Sequence, residues 1–348
     1  MVGLKKSNVF VRYFLNFIIF VLLQISATSG QALGLGVQLA NLEANYEFAS
    51  IDLPWAMFVH EYRSKNSYEN SLGPGWCNGL HIKTPNGPIH INIEANLIIE
   101  DQKLTLQDCG SKAQIGLATV FSARIGDKKS IKDRAKAGEQ FVLRDSDESG
   151  MAASVSKDGV LISFGLLQAA RQFDWNGTLT AVGSIKIISI DKQISRLEAD
   201  GQAVELKYEN NRLISISAST GTKARFRFEK NILTEIDNAW LKKYQFIFDD
   251  LFNLESVIYP DKTSYIVFYD KSKDVVTSLL HRNGCMEPFS AITTEDKNNY
   301  KIQTSLVCNE ILQSQKTEIF RFNSDGKLSN AGDKQWDKES HTIRHTNN

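Results

Sequence analysis

Hydrophobic and polar residues alternate along many short stretches of this chain, which is the pattern of half-buried β-strands. In the N-terminal part, such stretches lie at 81–83, 89–93, 97–99 and 104–106. The turn formers at 85–88 separate the first two stretches, as expected for a hairpin. The pattern therefore predicts a β-rich region over residues 33–121.

From about residue 160 onward a unit repeats, in which an aromatic residue is followed directly by an acid. The pairs are Phe173 with Asp174, Tyr208 with Glu209, Phe228 with Glu229, Phe248 with Asp249, and Tyr269 with Asp270. The last four are spaced by 20, 20 and 21 residues, and the first gap of 35 fits a unit without its aromatic near Ile190 and Asp191. This register indicates a repeat.

Aliphatic residues follow the aromatic in each unit, after a few turn formers. They are Leu179, Leu213, Leu233, Leu254 and Val275, joined three positions later in the first four units by Val182, Ile216, Ile236 and Val257. Each unit therefore predicts a hairpin, which cannot bury its apolar face alone and must stack beside its neighbours. We predict an all-β fold, with an open, curved antiparallel sheet of stacked hairpins over 151–322. An ordinary β-sandwich with chance spacing is the weaker alternative.

Two segments depart from this pattern. Residues 122–150 are crowded with Lys, Arg, Asp and Glu, and predict a charged helical insertion or exposed loop that folding can dispense with. Residues 323–348 predict a polar tail. Just before that tail, 318–322 predicts the last strand of the sheet, with Ile319 and a Phe half exposed along an unpaired edge.

The N-terminal residues predict the compartment. Residues 1–32 combine basic side chains, an apolar run at 13–23 and small residues, which is typical of a secretory signal peptide. An uncleaved anchor is the weaker alternative, because a spanning helix needs about 20 apolar residues. No Cys follows the run, so no lipoprotein anchor is expected. We expect a secreted, periplasmic or cell-surface protein with no stable membrane insertion after signal cleavage.

Four cysteines agree with an oxidising compartment. Cys77 and Cys109 bracket one stretch of strand pattern, and Cys285 and Cys308 bracket another, so two local disulfides are predicted among three possible pairings. A four-cysteine zinc site is a poorer interpretation, since the chain has no CxxC motif and no close His partner. Free thiols are the second alternative.

The charge balance and the apolar content of the chain limit which classes of partner are expected. The 348 residues carry 40 Lys+Arg and 40 Asp+Glu, which excludes a generally basic nucleic-acid binder. The hydrophobic content of 42% and the aromatic content of 10% exclude a mostly disordered chain. We therefore expect a folded protein with no nucleic-acid partner.

Candidate chemistry is sparse, and we expect no catalytic residue, no cofactor and no metal. A metal site is conceivable for His81 with His90 across a hairpin, but solvent-facing strand histidines are the simpler interpretation. The recurring acids are expected to accept hydrogen bonds from turn amides, and acid–base catalysis by paired carboxylates is the alternative. The recurring aromatics are expected to line the core, with a sugar-binding face as the alternative.

The repeated units resemble the YD repeats of Rhs and teneurin-like proteins, and Tyr-Asp itself stands at Tyr269 and Asp270. An upstream segment is similar to the N-terminal part of bacterial Rhs-repeat proteins, with His60 at the family's Arg position and Leu72 at its Phe position. The matching residues are Tyr62, Ser64, Gly73, Pro74, Gly75 and Trp76. Family members with many more repeats form a hollow cocoon. The resemblance therefore implies an open, orphan N-terminal-type fragment of a bacterial Rhs-repeat protein.

Three functional hypotheses follow. The first is a secreted non-enzymatic scaffold at the cell envelope or outside the cell, in surface interaction or as a shell fragment of a toxin-delivery system. Its partner would be an unknown protein or glycan, with possible edge-strand pairing to another repeat chain. The alternatives are a carbohydrate-binding module that uses the repeat aromatics and a secreted hydrolase with an unidentified site.

Overall fold

The computed structural model describes fourteen segments of the chain. They are residues 35–38, 42–64, 69–84, 87–107, 109, 119–123, 129–144, 151–164, 169–238, 242–293, 299–322, 328–330, 334–337 and 342–345. The predicted signal peptide, residues 1–32, lies outside them. No helix in these segments is long and apolar enough to cross a membrane.

The N-terminal part consists of short antiparallel strands. They are β1 (Leu35–Gln38), β2 (Glu43–Asp52), β3 (Ala56–Arg63), β4 (Glu69–Asn70), β5 (Gly73–Pro74), β6 (Trp76–Ile82), β7 (Ile89–Asn92), β8 (Asn96–Ile99), β9 (Lys103–Gln107) and β10 (Thr119–Ser122). Five of them form what we call the N-terminal sheet, in the order β1-β2-β3-β6-β7. A second sheet has the order β10-β9-β8, and β4 pairs with β5. The four stretches that alternate in sequence fall on β6 to β9, so these strand predictions are confirmed.

A helix and a long meander of strands follow. The helix α1 is Ile131–Lys136. The strands are β11 (Phe141–Arg144), β12 (Met151–Ser156), β13 (Gly159–Phe164), β14 (Arg171–Phe173), β15 (Leu179–Val182), β16 (Ile185–Ile190), β17 (Gln193–Ala199), β18 (Gln202–Glu209), β19 (Arg212–Ala218), β20 (Lys223–Glu229), β21 (Ile232–Asn238), β22 (Lys242–Phe248), β23 (Leu254–Ile258), β24 (Ser264–Asp270), β25 (Val275–Leu280), β26 (Met286–Thr293), β27 (Asn299–Cys308), β28 (Ile311–Phe322), β29 (Leu328–Asn330), β30 (Lys334–Asp337) and β31 (Thr342–His345).

Strands β11 to β29 form one 19-stranded sheet, which we call the repeat sheet. Each strand pairs antiparallel with its neighbours in sequence, so the sheet is a continuous meander. Its first and last strands do not pair with each other among the described strands, and the sheet stays open. The predicted all-β fold with an open antiparallel sheet of stacked hairpins is confirmed.

A β-bulge recurs in the hairpins of the repeat sheet. The pairings β18–β19, β20–β21, β22–β23 and β24–β25 each shift register between the repeat aromatic and the residue before it. A bulge bends its strand and increases the local twist. One bulge per unit therefore bends the sheet repeatedly in the same way.

The hydrophobic core lies between the N-terminal sheet and the repeat sheet. Trp76 packs edge-on against Phe246 with ring centroids 5.3 Å apart, and Phe48 lies 6.0 Å from the same ring. The His60 ring contacts Phe226 at 5.2 Å. The N-terminal sheet thus covers the apolar face of the hairpins, which supplies the burial that no single hairpin provides.

Both predicted disulfides are present. Cys77 bonds Cys109, with Cα atoms 5.7 Å apart, and Cys285 bonds Cys308, with Cα atoms 4.3 Å apart. No cysteine of the described chain is free. Two structural disulfides indicate an oxidising compartment.

The charged segment 122–150 is more integrated than its composition suggests. It contains α1, as expected for a helical insertion, and the Ser130 hydroxyl accepts a hydrogen bond from the Asp133 N–H at 3.1 Å to cap it. Ile131 and Ala135 are fully buried. The segment also contains β11, which begins the repeat sheet by pairing with β12. The expectation that folding can dispense with this segment disagrees with that burial.

The C-terminal end also differs from expectation. The last long strand, β28, begins well before residue 318, and Phe320 is fully buried while Ile319 is half-buried. The exposed apolar side chains of β28 are instead Ile311 and Leu312. The predicted polar tail contains three short strands, of which β29 joins the repeat sheet and β30 pairs with β31.

Candidate functional site

The residues that resemble the Rhs N-terminal segment meet the repeats at one junction. Tyr62, on β3, is fully buried, and its hydroxyl donates a hydrogen bond to the Phe252 carbonyl at 3.0 Å. The same hydroxyl accepts one from the Leu254 N–H, also at 3.0 Å. Burial raises the pKa of the Tyr62 phenol, so the group stays protonated and able to donate. Its ring packs edge-on against the repeat aromatic Phe248 at 5.7 Å.

Two glycines of the motif allow neighbouring parts of the chain to approach their backbone closely at this junction. Gly75 has φ of +78°, and a Cβ there would lie 2.6 Å from Cε2 of the Tyr62 ring. Gly73 has φ of +102°, and a Cβ there would lie 2.9 Å from the backbone oxygen of Asn231, in a repeat turn. Positive φ and missing space both require glycine. Pro74, between them, is half-buried on β5.

The other motif residues support the same arrangement. Trp76 is almost fully buried and packs 5.3 Å from the Tyr62 ring. The Ser64 hydroxyl accepts a hydrogen bond from the Ala44 N–H at 3.1 Å, at the end of β3. Five of the six motif residues thus contribute to the N-terminal sheet or to its contact with the repeats, and Pro74 pairs with Glu69 between β4 and β5.

A buried polar network lies beside these residues. His60 is fully buried, with Nε2 2.6 Å from the Ser50 hydroxyl and Nδ1 2.6 Å from the Asn78 Oδ1. The Asn78 amide donates to Glu94 Oε1 at 2.9 Å and to the Ser71 hydroxyl at 2.9 Å. Burial lowers the pKa of His60 to about 4, and burial raises the pKa of Glu94. His60 is therefore a neutral core residue.

The repeat aromatics line the core. Phe173 is fully buried, and Tyr208, Phe228, Phe248 and Tyr269 are half-buried and pack against the core cluster. In four units the first aliphatic residue named from the sequence is the direct cross-strand partner of the aromatic residue, as Leu213 is of Tyr208. In the unit of Tyr269 the partner is Val276, whereas Val275 pairs with Asp270. Val276 and Leu279 are three positions apart and both lie on the core side, because the bulge between them interrupts the alternation of strand faces.

The aspartates of the repeats organise turns. Asp249 Oδ1 accepts hydrogen bonds from the N–H groups of Leu251 and Asn253, both at 2.9 Å. Asp174 binds two amides of its own loop in the same way, and Asp270 accepts from the Ser272 N–H at 3.0 Å. This agrees with the predicted role of the acids in Asx turns.

The glutamates stand at a different turn. Glu209 pairs with Arg212 and Glu229 with Ile232, which leaves two-residue turns whose central residues all have positive φ. These turns match the right-handed twist of the strands and suit Asn. The turn at Asp191 and Lys192 has the same form, so the unit without an aromatic is a hairpin like the others. The predicted role of the acids as acceptors of turn amides therefore describes the aspartates, whereas the turns after the two glutamates are set by backbone angles.

The last long strand presents an exposed edge. On one side β28 pairs with β27 along its length. On the other side β29 pairs only with Arg321 and Phe322 among the described strands. Ile311 is 64% exposed and Leu312 is 55% exposed. An exposed edge with apolar side chains is a template for pairing with a further strand.

A second polar cluster lies on the N-terminal sheet. His81 and His90 are direct cross-strand partners, with ring centroids 5.0 Å apart. Glu47, on β2, reaches the same place, and its Oε1 lies 3.1 Å from His81 Nε2. Sequence analysis identified the two histidines but missed Glu47, because β2 is brought there by sheet formation and no local spacing signals it.

Comparisons with known proteins add little to this geometry. The crystal structure of TcdB2-TccC3 without hypervariable C-terminal region matches 87% of this chain and 20% of that chain, with 9% identity and a TM-score of 0.27. The crystal structure of TcdB2-TccC3-Cdc42 matches 84% of this chain and 18% of that chain, with 12% identity and a TM-score of 0.32. This chain thus spans about a fifth of either neighbour. Because both TM-scores are low, the fold assignment rests on the strand pairing described above.

No protein-family model and no curated protein matches the chain.

Proposed function

We propose that this protein is a secreted, non-enzymatic β-scaffold of the Rhs/YD-repeat kind. In this proposal a signal peptide directs it to the cell envelope or beyond. There it serves in surface interaction, or as part of the shell of a toxin-delivery system. The N-terminal sheet closes the apolar face of the repeats, and the exposed edge of β28 receives a strand from another repeat chain.

The observation that supports this proposal most is what the recurring side chains do. The repeat aromatics fill the core, the aspartates bind turn amides, and Tyr62 joins the two sheets through the Phe252 and Leu254 backbone. All of these roles are structural. Recurring residues with structural roles are expected of a scaffold, which acts through its shape and through its exposed strand edges.

The edge of β28 favours strand addition as the mode of interaction. Backbone hydrogen bonds supply affinity in such pairing, and exposed side chains such as Ile311 and Leu312 supply apolar contact. We take a second copy of this chain as the occupant, because the edge then meets an identical edge in an isologous, two-fold contact.

Light scattering over a concentration series tests the proposal. We expect the wild-type protein to dimerise with rising concentration, and Leu312→Lys to shift this equilibrium towards monomer, since an edge lysine blocks strand pairing. Ile247→Lys is the matched control, because Ile247 is 45% exposed but lies on an interior strand of the same sheet. A wild-type protein that stays monomeric, or equal loss with both variants, would contradict the proposed edge.

The sugar-binding alternative receives no support from the repeat aromatics, because their rings pack against the core. A glycan array tests it directly, and activity-based hydrolase profiling tests the non-enzymatic part of the proposal. Enrichment of a glycan or labelling by a hydrolase probe would count against the scaffold function.

A further inference from the structure

The outer face of the N-terminal sheet carries a three-residue cluster that the scaffold function does not use. It consists of Glu47, His81 and His90, on β2, β6 and β7. Tyr46, Phe48, Leu80 and Ile91 flank these residues in sequence and are buried in the core. Because strand side chains alternate between faces, the three polar residues lie on the face turned away from the repeats.

The potential ligand atoms of the cluster converge. One carboxylate oxygen and one ring nitrogen from each histidine all lie within 4.8 Å of one another. Glu47 Oε1 is 3.1 Å from His81 Nε2, close to the separation of about 3.3 Å between two ligands in a tetrahedral zinc site with bonds of about 2.0 Å. The two imidazole rings meet at an angle of 75°, so they approach the cluster from different directions.

Glu47 Oε1 is the least satisfied atom of the cluster. It is shielded from solvent and has no hydrogen-bond partner, so its 3.1 Å contact with His81 is close in distance without having hydrogen-bond geometry. A buried carboxylate oxygen without a partner is costly. The Arg63 guanidinium interacts electrostatically with Glu47, but its Nε is already paired with Glu61 Oε1 at 2.7 Å. A bound cation would satisfy the oxygen.

Gly79 makes room for one of the histidines. A Cβ on Gly79 would lie 2.9 Å from His90 Cε1 and 3.3 Å from His90 Nε2. Its φ lies outside the positive range, so space is the reason for glycine here, and the His90 ring rests directly over β6. This contact holds His90 beside His81 although His90 is exposed.

We propose that Glu47, His81 and His90 bind a zinc ion. Two imidazoles and one carboxylate form a ligand set of the type that zinc accepts, with a fourth position left for water. The described cysteines all form disulfides, so the site would contain only nitrogen and oxygen ligands. The ion would connect β2 to β6 and β7, across the strand β3 that lies between them.

Calorimetric titration of the purified metal-free protein with Zn²⁺ tests this site. We expect one zinc per chain, and at least about tenfold weaker binding in His90→Ala, which removes one of three ligands from an exposed position. At a given zinc concentration, zinc should raise the melting temperature of the wild-type protein more than that of His90→Ala, because a ligand that binds only the folded state stabilises it according to its affinity. Glu47→Gln should weaken binding as well, since the amide carries no charge.

His281→Ala is the matched control. His281 Nε2 lies 2.9 Å from Glu287 Oε2, so this variant removes a comparable histidine–carboxylate pair that has only two members. It should bind zinc like the wild-type protein. Absence of zinc binding by the wild-type protein, zinc affinity that is undiminished in His90→Ala, or equal loss in His281→Ala would each overturn the proposal. Substitution with Co²⁺ gives an independent readout, because the visible bands should show nitrogen and oxygen ligands without a thiolate.

Discussion

The Tyr62 hydroxyl accepts a hydrogen bond from the Leu254 N–H at 3.0 Å, although 192 positions separate the two residues in sequence. The Leu254 carbonyl in turn accepts a hydrogen bond from the Tyr269 hydroxyl at 3.1 Å. Leu254 therefore lies between a tyrosine of the N-terminal sheet and a tyrosine of the repeat sheet. Through this backbone group the motif segment is attached to the turn of one repeat.

Removal of the Tyr62 hydroxyl should destabilise the fold measurably. Tyr62→Phe leaves the Phe252 carbonyl and the Leu254 N–H without this partner, so we expect a loss of about 1–3 kcal/mol in the free energy of unfolding. Tyr269→Phe removes one hydrogen bond and should cost about 1 kcal/mol. Denaturant unfolding of both variants provides the measurement. An equal or smaller effect at Tyr62 would show that the junction contributes little.

Gly75→Ala should destabilise the fold by more than the strain of its positive φ alone explains. Gly201 has a similar positive φ of +71°, but a Cβ there would meet no atom within 4 Å. We therefore expect about 1–2 kcal/mol for Gly201→Ala, and roughly 3 kcal/mol or more for Gly75→Ala, where the new Cβ meets the Tyr62 ring. Thermal unfolding of the two variants separates backbone strain from steric overlap. Equal melting temperatures would argue against the close approach.

Stability should fall in mild acid because of His60. Its pKa is lowered from the ordinary 6.5 to about 4 in the folded state, so between these values the unfolded chain binds more protons. The free energy of unfolding should therefore decrease by roughly 3 kcal/mol as the pH falls from 6.5 to 4, and this contribution should be constant below pH 4.

A denaturant series at several pH values, compared with His60→Gln, isolates this contribution. The buried Glu94, whose pKa is raised, acts in the opposite sense in both proteins, so the difference between them reports on His60. His281→Gln serves as a control for a histidine outside the core. The same acid sensitivity in His60→Gln would assign the effect to other groups.

The charged segment should be needed for stability. Ile131 is fully buried, and Ile131→Ala should cost about 2–5 kcal/mol because it leaves a cavity in the core. Lys136→Ala, at an exposed position of the same helix, should change stability by less than about 0.5 kcal/mol. Replacement of 127–146 by a Gly/Ser linker should lower the melting temperature for the same reason. If the linker variant unfolds in the same cooperative transition as the wild-type protein, the charged segment is dispensable for folding, as its composition predicts.

The two kinds of repeat turn should respond differently to loss of their acid. Asp249→Ala removes an acceptor for two backbone amides and should cost about 1–3 kcal/mol. Glu229→Ala, before a two-residue turn, should have an effect near zero, because Glu229 is exposed and the turn is set by its backbone angles. Chemical denaturation of both variants checks this. A large effect at Glu229 would indicate a contact beyond the turn.

The local pattern of residues was sufficient to predict many of the strands, the hairpin repeats and both disulfides. Alternation within a few residues predicted β6 to β9, and the spacing of aromatic and acid residues predicted the hairpins, including the one near Ile190. The two disulfides also followed from sequence, because each joins cysteines that bracket a single stretch of strands. These features depend on periodicity and short loops, which the order of residues specifies directly.

What the sequence alone determined is therefore the repeat, the strand faces and the turn chemistry. The tertiary structure decided which faces meet. It placed Tyr62 against the Phe252 turn, buried the helix of a charged segment at Ile131, and brought Glu47 to the two histidines. Each of these contacts joins segments far apart in sequence, and their positions depend on the register and accumulated bending of many strands. Bulges that bend the sheet leave only a weak local signal, so the meeting of distant faces is settled by packing of the whole core.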